Sequence, residues 1–242
     1  MKALRLAFST LTVLPVGPRR FTALDLKASP AFYPAVGLPI GGTAAALSLV
    51  PAPPQIRALL ILLAWVGWTG CLHLDGLADS LDACFGGRDP VARRRILKDP
   101  HVGSFGVVGL VLALLSEYVL LGGILSKARP AYWLLAVPVA ARWGLSLACA
   151  FQKGFPGSKG LGSGVLGLGW GALAFATALA LAVLLPTLGP RSILLLAAAA
   201  AASSGVGALA RVRLGGTNGD VLGAGVLMAE IFPLFVVAGL IQ

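Results

Sequence analysis

Charge is scarce in this sequence: 12% of its 242 residues are Asp, Glu, Lys or Arg, about half the share of an average soluble domain. Hydrophobic residues make up 57%, and the mean hydropathy is +0.90. A water-exposed surface cannot be assembled from that mixture at this size, so lipid is the expected solvent for most of the chain. Short segments of alternating hydrophobicity are also missing, which excludes a transmembrane barrel and leaves helices as the spanning form. The expected fold class is all-α, a polytopic membrane bundle in which residues 1–242 form a single unit.

Cysteine is nearly absent. Cys71, Cys84 and Cys149 show no C-x-x-C spacing and cannot all pair within one chain, so neither a zinc cluster nor a disulfide framework is expected. No signal peptide is expected from the first residues either. Lys2 and Arg5 precede only a short apolar stretch before Pro15, and the first ~30 residues are expected in the cytoplasm or at the interface. The net charge of +10 would point to nucleic acid in a soluble protein. Here the cations fall between apolar segments, where they set topology, and nucleic acid is not an expected partner.

Seven stretches approach the ~20 residues needed to cross a bilayer. They run over about 33–50, 56–74, 105–125, 131–151, 165–188, 192–210 and 219–241. Pro34, Gly37, Pro39, Gly41 and Gly42 interrupt the first, which reads as a broken or re-entrant element or as a kinked helix. With the N-terminus inside, Arg57, Lys127, Arg129 and Arg191 fall outside, Arg142 falls within a span, and all other Lys and Arg fall inside, as the positive-inside rule requires. That topology brings the loops at 75–104, 152–164 and 211–218 to one face.

The acidic residues are concentrated. Of nine, five lie within 25 positions, Asp75, Asp79, Asp82, Asp89 and Asp99, bracketed by both histidines, His73 and His101. At 100° per residue, Asp75, Asp79 and Asp82 share an arc of about 60°, opposite Leu74, Leu77, Ala78, Leu81 and Phe85. Gly86 and Gly87 should end that amphipathic helix. Asp89-Pro90 should cap and open a short basic helix through Arg93, Arg94, Arg95 and Lys98, closed by Asp99-Pro100. Stacked carboxylates repel unless protonated or neutralised, and a hard divalent cation, magnesium or manganese, is the economical neutraliser. Together with the basic helix it would suit a phosphate or diphosphate. The solvated face of an interfacial helix, with an arginine run as anchor, would give the same pattern.

A second cluster, Gly215-Gly216-Thr217-Asn218-Gly219-Asp220, precedes the last segment and reads as an anion-binding turn or a capped helix start, with Asp220 a cap or a metal ligand. Arg142, Glu117 and Glu230 within apolar segments are expected to be functional or paired. Gly37/Gly41, Gly167/Gly171 and Gly219/Gly223 fit close helix packing.

His73-Leu74-Asp75-Gly76-Leu77-Ala78-Asp79-Ser80-Leu81-Asp82-Ala83 and Lys98-Asp99-Pro100-His101-Val102-Gly103-Ser104-Phe105-Gly106 strongly resemble the cobalamin synthase family, the adenosylcobinamide-GDP ribazoletransferases. The resemblance extends to Tyr33–Gly37, Ala141-Arg142-Trp143, Gly160-Leu161-Gly162 and Gly215–Asp220, nearly the whole chain. One departure is that the family often has Thr before the Gly-Asp pair, where this chain has Asn218 preceded by Thr217. The resemblance implies a magnesium-dependent, multi-pass enzyme of the cytoplasmic membrane with its site facing the cytoplasm. Such an enzyme joins adenosylcobinamide-GDP to α-ribazole or its 5′-phosphate and releases GMP. On that reading Asp75, Asp79, Asp82 and Asp220 are metal ligands, and Arg93, Arg94, Arg95, Lys98 and Arg142 meet phosphate. His73 or His101 takes the proton of the attacking hydroxyl, and a homo-oligomer stays open. A CDP-alcohol phosphotransferase, a transporter and an intramembrane protease are the rival readings.

Overall fold

A computed structural model describes residues 1–127 and 130–240, so Arg129 and residue 241 lie outside the described residues. The described chain is helical throughout, because runs of Leu, Ala and Val in lipid must satisfy their backbone groups within the segment. In order, the helices are α1 (Lys2–Leu11), α2 (Ala23–Ala28), α3 (Tyr33–Leu47), α4 (Pro54–Thr69), α5 (Leu72–Gly86), α6 (Pro90–Ile96), α7 (Ser104–Leu125), α8 (Pro130–Phe151), α9 (Leu161–Gly164), α10 (Trp170–Leu188), α11 (Ser192–Leu214) and α12 (Gly219–Leu240).

The expectation of about seven membrane segments is not met in full. Four helical stretches are long and apolar enough to cross, Ser104–Leu125, Pro130–Phe151, Trp170–Leu214 and Gly219–Leu240, or five if the bent pair α4 and α5 counts as one span. The third stretch runs through 45 residues, about 68 Å if straight. It is folded back at Gly189, whose φ is +59°. Thr177 accepts a hydrogen bond from the Trp143 indole at 2.9 Å, while Ala199 and Ser203 crowd neighbouring Gly144, so α10 and α11 reach one level of α8. Of the two readings of residues 33–50, the helical one holds: Tyr33–Leu47 is one uninterrupted 15-residue helix with Pro39 inside it, and residues 48–50 lie beyond its end. At about 22 Å it is short of a full crossing.

The α8 and α12 helices form the centre, each with 72% of its apolar window buried, against 28% for α7. Val108, Val111, Leu112, Leu115 and Val119 leave one side of α7 to lipid. Gly37 lets α3 lie directly on α8, since a Cβ there would sit 2.6 Å from the Pro138 carbonyl oxygen. The expected Gly167/Gly171 packing pair does not form, because Gly167 is a loop residue with φ +78° and a Cβ on Gly171 would meet open space. Deep in the bundle the Arg142 guanidinium pairs with the Glu230 carboxylate, as two charges in an apolar interior require.

The chain breaks between α4 and α5, which meet at 84°. Gly70 and Cys71 supply the corner with φ values of +57° and +64°. Cys71 is the one non-glycine residue with positive φ among the described residues, a conformation that costs about 1–3 kcal/mol and needs its surroundings to hold it. From that corner α5 packs along the N-terminal halves of α7, at Gly103, Gly106 and Gly109, and of α12, at Asp220 and Gly223, and its first turn reaches in toward Glu117 and Glu230.

Candidate functional site

The crossing of α5 over α12 gathers the carboxylates. Gly76 makes the approach, for a Cβ there would lie 2.6 Å from the Asp220 main-chain oxygen. Asp75 and Asp79 flank that glycine on α5, and Asp220 stands in the first turn of α12. Burial, and after it the charges of Asp75, Asp220 and Asp82, push the Asp79 carboxyl up to about 6. None of the charges acting on Asp79 is positive. We expect Gly76→Ala to push α5 off α12 and lower any activity that depends on these carboxylates at least about tenfold, while the protein still elutes as a folded species from detergent columns.

Asp82 belongs to the same stripe and does something else. Its two oxygens accept from the backbone N–H of Gly103 at 2.7 Å and of Gly106 at 2.9 Å. It caps the N-terminus of α7 from a neighbouring helix, and the alternative reading of the stripe as a solvated face fails here because the carboxylate is buried against that helix end. Asp82→Ala should therefore destabilise the protein by about 2–4 kcal/mol, read as a lowered melting temperature in detergent.

Whether these residues suit a divalent cation can be judged from their chemistry. Among the described residues no three His, Cys, Asp or Glu side chains close around one point, and Asp82 already spends both oxygens on α7. Asp75, Asp79 and Asp220 remain, hard oxygen donors in mutual repulsion. Magnesium is held by one or two carboxylates together with water and phosphate oxygens, so a closed cage of protein ligands is not required. On that chemistry the residues fit.

The remaining candidates are scattered. His73 is buried, with no partner for either ring nitrogen. It lines a cavity of about 200 Å³ with Asp75, Gly162 and Asp220. His101 is 89% exposed and lies 2.6 Å from Asp99, whose carboxyl its ring and backbone N–H hold below the usual carboxylate range. Asp89 caps α6 through the N–H groups of Val91 and Ala92, as the sequence indicates. Arg93 donates to the carbonyls of Gly87 and Arg213, and Arg94 donates to that of Leu214 at 2.7 Å, so both tie α6 to the C-terminal end of α11. Arg95 and Lys98 are exposed. Arg142 lies in the bundle interior, 0% exposed, and not at this surface.

In the 215–220 segment the cap of α12 is Asn218, whose Oδ1 accepts from the Val221 N–H, while its Nδ2 donates to Asp220 at 2.6 Å. Thr217 pairs through its backbone with Lys153 and Phe155. The sequence reading missed Gly76 as a positioning residue. A glycine in mid-helix between two aspartates is the signal that marks it.

The sequence model of the cobalamin-5-phosphate synthase family matches residues 3–238. A Deinococcus radiodurans protein named adenosylcobinamide-GDP ribazoletransferase is 39% identical over 96% of this chain and 84% of its own length. An Ectopseudomonas mendocina protein of the same name is 38% identical over 98% of this chain and 99% of its own. No solved structure gives a significant match. A match over nearly every residue, in a helical chain whose carboxylates meet where α5 crosses α12, leaves one conclusion: the chain belongs to the cobalamin-5-phosphate synthase family.

Proposed function

We propose that this chain is a membrane-embedded transferase that moves the adenosylcobinamide phosphate group of adenosylcobinamide-GDP onto α-ribazole or its 5′-phosphate and releases GMP. The names of its relatives support the reaction. The observation that carries the assignment of the site is the set of uncompensated carboxylates Asp75, Asp79 and Asp220 at the crossing of α5 and α12. In the reaction the acceptor hydroxyl forms a new bond to phosphorus, the bond to the GMP oxygen breaks, and the hydroxyl proton departs.

Asp75, Asp79 and Asp220 would hold magnesium, which supplies charge neutralisation for the diphosphate and the departing GMP. The protein's own part is to present these carboxylates through the Gly76 contact, to hold the α7 end with Asp82, and to keep the cavity between α5 and α12 narrow. His73 is the histidine we assign to take the hydroxyl proton, because it lines that cavity, whereas His101 is exposed and pairs with Asp99. Arg95 and Lys98, free of hydrogen-bonded partners among the described residues, are the members of the basic helix left to meet substrate phosphate. The cation distribution supports a site facing the cytoplasm in the inner membrane.

Proton and cation compete for Asp79. With that carboxyl at about 6, magnesium affinity should be full above that pH and fall as the pH drops through it. Half-saturation by magnesium measured between pH 5 and pH 8 checks the sign. The reaction itself is tested by incubating the purified protein in liposomes with adenosylcobinamide-GDP, α-ribazole and magnesium. GMP release that requires the acceptor and stops with a chelator is expected. Substrate flux across the vesicle without GMP would overturn the proposal in favour of transport.

A further inference from the structure

A second cavity lies apart from the one beside the carboxylates. It measures about 780 Å³ and lies between the C-terminal turns of α8 and α11 and the 215–217 turn. Lys153 and Arg211 line it, no acidic residue does, and neither cation has a salt-bridge partner among the described residues. Leu147, Ala148 and Phe151 form an apolar wall.

At the inner edge stands Thr217, 1% exposed, with its hydroxyl buried and without a hydrogen-bond partner. A buried orphan hydroxyl is costly unless a ligand completes it. Gly216 crosses the edge with φ +156°, packed so closely on Gly154 and Phe155 that a side chain has no room. The chemistry is that of a phosphate site with an apolar floor, in which two cations neutralise the anion and a hydroxyl donates to it.

The same short segment joins this cavity to the carboxylates. Thr217 lies on one and Asp220 on the other, and three residues span at most about 11 Å. That bound puts both within reach of one phosphorylated sugar and the side chains that hold it. We propose that the cavity binds the phosphate of a phosphorylated acceptor, α-ribazole 5′-phosphate, with Lys153, Arg211 and Thr217 as its contacts, while the acceptor's hydroxyl end reaches the Asp75, Asp79 and Asp220 side. This rests on the function proposed above and places the acceptor's phosphate in the fold.

The test compares kcat/KM for α-ribazole 5′-phosphate and for α-ribazole in the wild type and in the double variant Lys153→Gln, Arg211→Gln. The ratio favouring the phosphorylated acceptor should fall about tenfold or more in the variant, and Lys153→Arg with Arg211→Lys should restore most of it. An unchanged ratio, or equal losses with both acceptors, overturns the assignment. The phosphate of a lipid headgroup is the other source of this chemistry. Running both proteins in phosphatidylcholine vesicles with and without phosphatidylglycerol separates the two, and a variant that alters only the response to phosphatidylglycerol also overturns it. Calorimetric titration with α-ribazole 5′-phosphate alone gives a readout without turnover. It should show weaker binding to the variant even if GMP release fails, and that failure would count against the reaction and not against the site.

Discussion

Asp79→Asn should lower transfer by at least about 1,000-fold and leave the protein folded in the membrane. The size follows from what the side chain is asked to do. Asp79 is half-buried and repelled by Asp75, Asp220 and Asp82, a repulsion that the proposed magnesium would offset. A cation lost from a diphosphate displacement forfeits several kcal/mol of transition-state stabilisation, and each 1.36 kcal/mol is a factor of ten in rate. Folding should be spared, because repulsion between like carboxylates opposes the folded state and asparagine removes part of it. The pattern separates Asp79 from Asp82, four-fifths of a turn along the same stripe. There the loss should appear in melting temperature, since Asp82 holds the N–H groups of Gly103 and Gly106.

The second large effect belongs to Arg142. Replacing it by methionine strands Glu230 in the interior of the bundle and should cost about 3–5 kcal/mol, enough to remove most protein from a detergent extract heated to moderate temperature. Arg142→Met combined with Glu230→Leu should recover much of that loss, because the penalty lies in the unpaired charge more than in the missing attraction. If Arg142 met substrate phosphate, the double variant would be stable and dead with a raised KM. With both groups 5% exposed or less and paired to each other, we expect it to keep KM within about twofold, measured on the same GMP-release assay.

Much of this organisation can be read from residue order. Hydropathy reveals the all-helical membrane fold, and the 3.6-residue period places Asp75, Asp79 and Asp82 on one arc. The Asp89-Pro90 cap forms where that dipeptide predicts it. What period cannot show is the partner of each face. Asp82 meets a helix end 21 and 24 positions further on, and Arg93 and Arg94 reach carbonyls 120 positions away. The first is made where α5 packs on α7 and the second where α6 meets the end of α11, both downstream of the corner built by the two left-handed residues Gly70 and Cys71. The span count departs for a related reason, since hydropathy counts apolar residues and does not register an 84° corner or a 15-residue helix.

If Asp75, Asp79 and Asp220 together hold the cation, as proposed, its binding can be counted directly. Manganese, a spectroscopically visible stand-in for magnesium, can be titrated into the purified protein with the GDP-activated donor present and followed by electron paramagnetic resonance. The account predicts one tightly bound manganese per chain in the wild type, lost in Asp79→Asn and retained in Asp89→Asn. Equal manganese binding by the wild type and Asp79→Asn would contradict it.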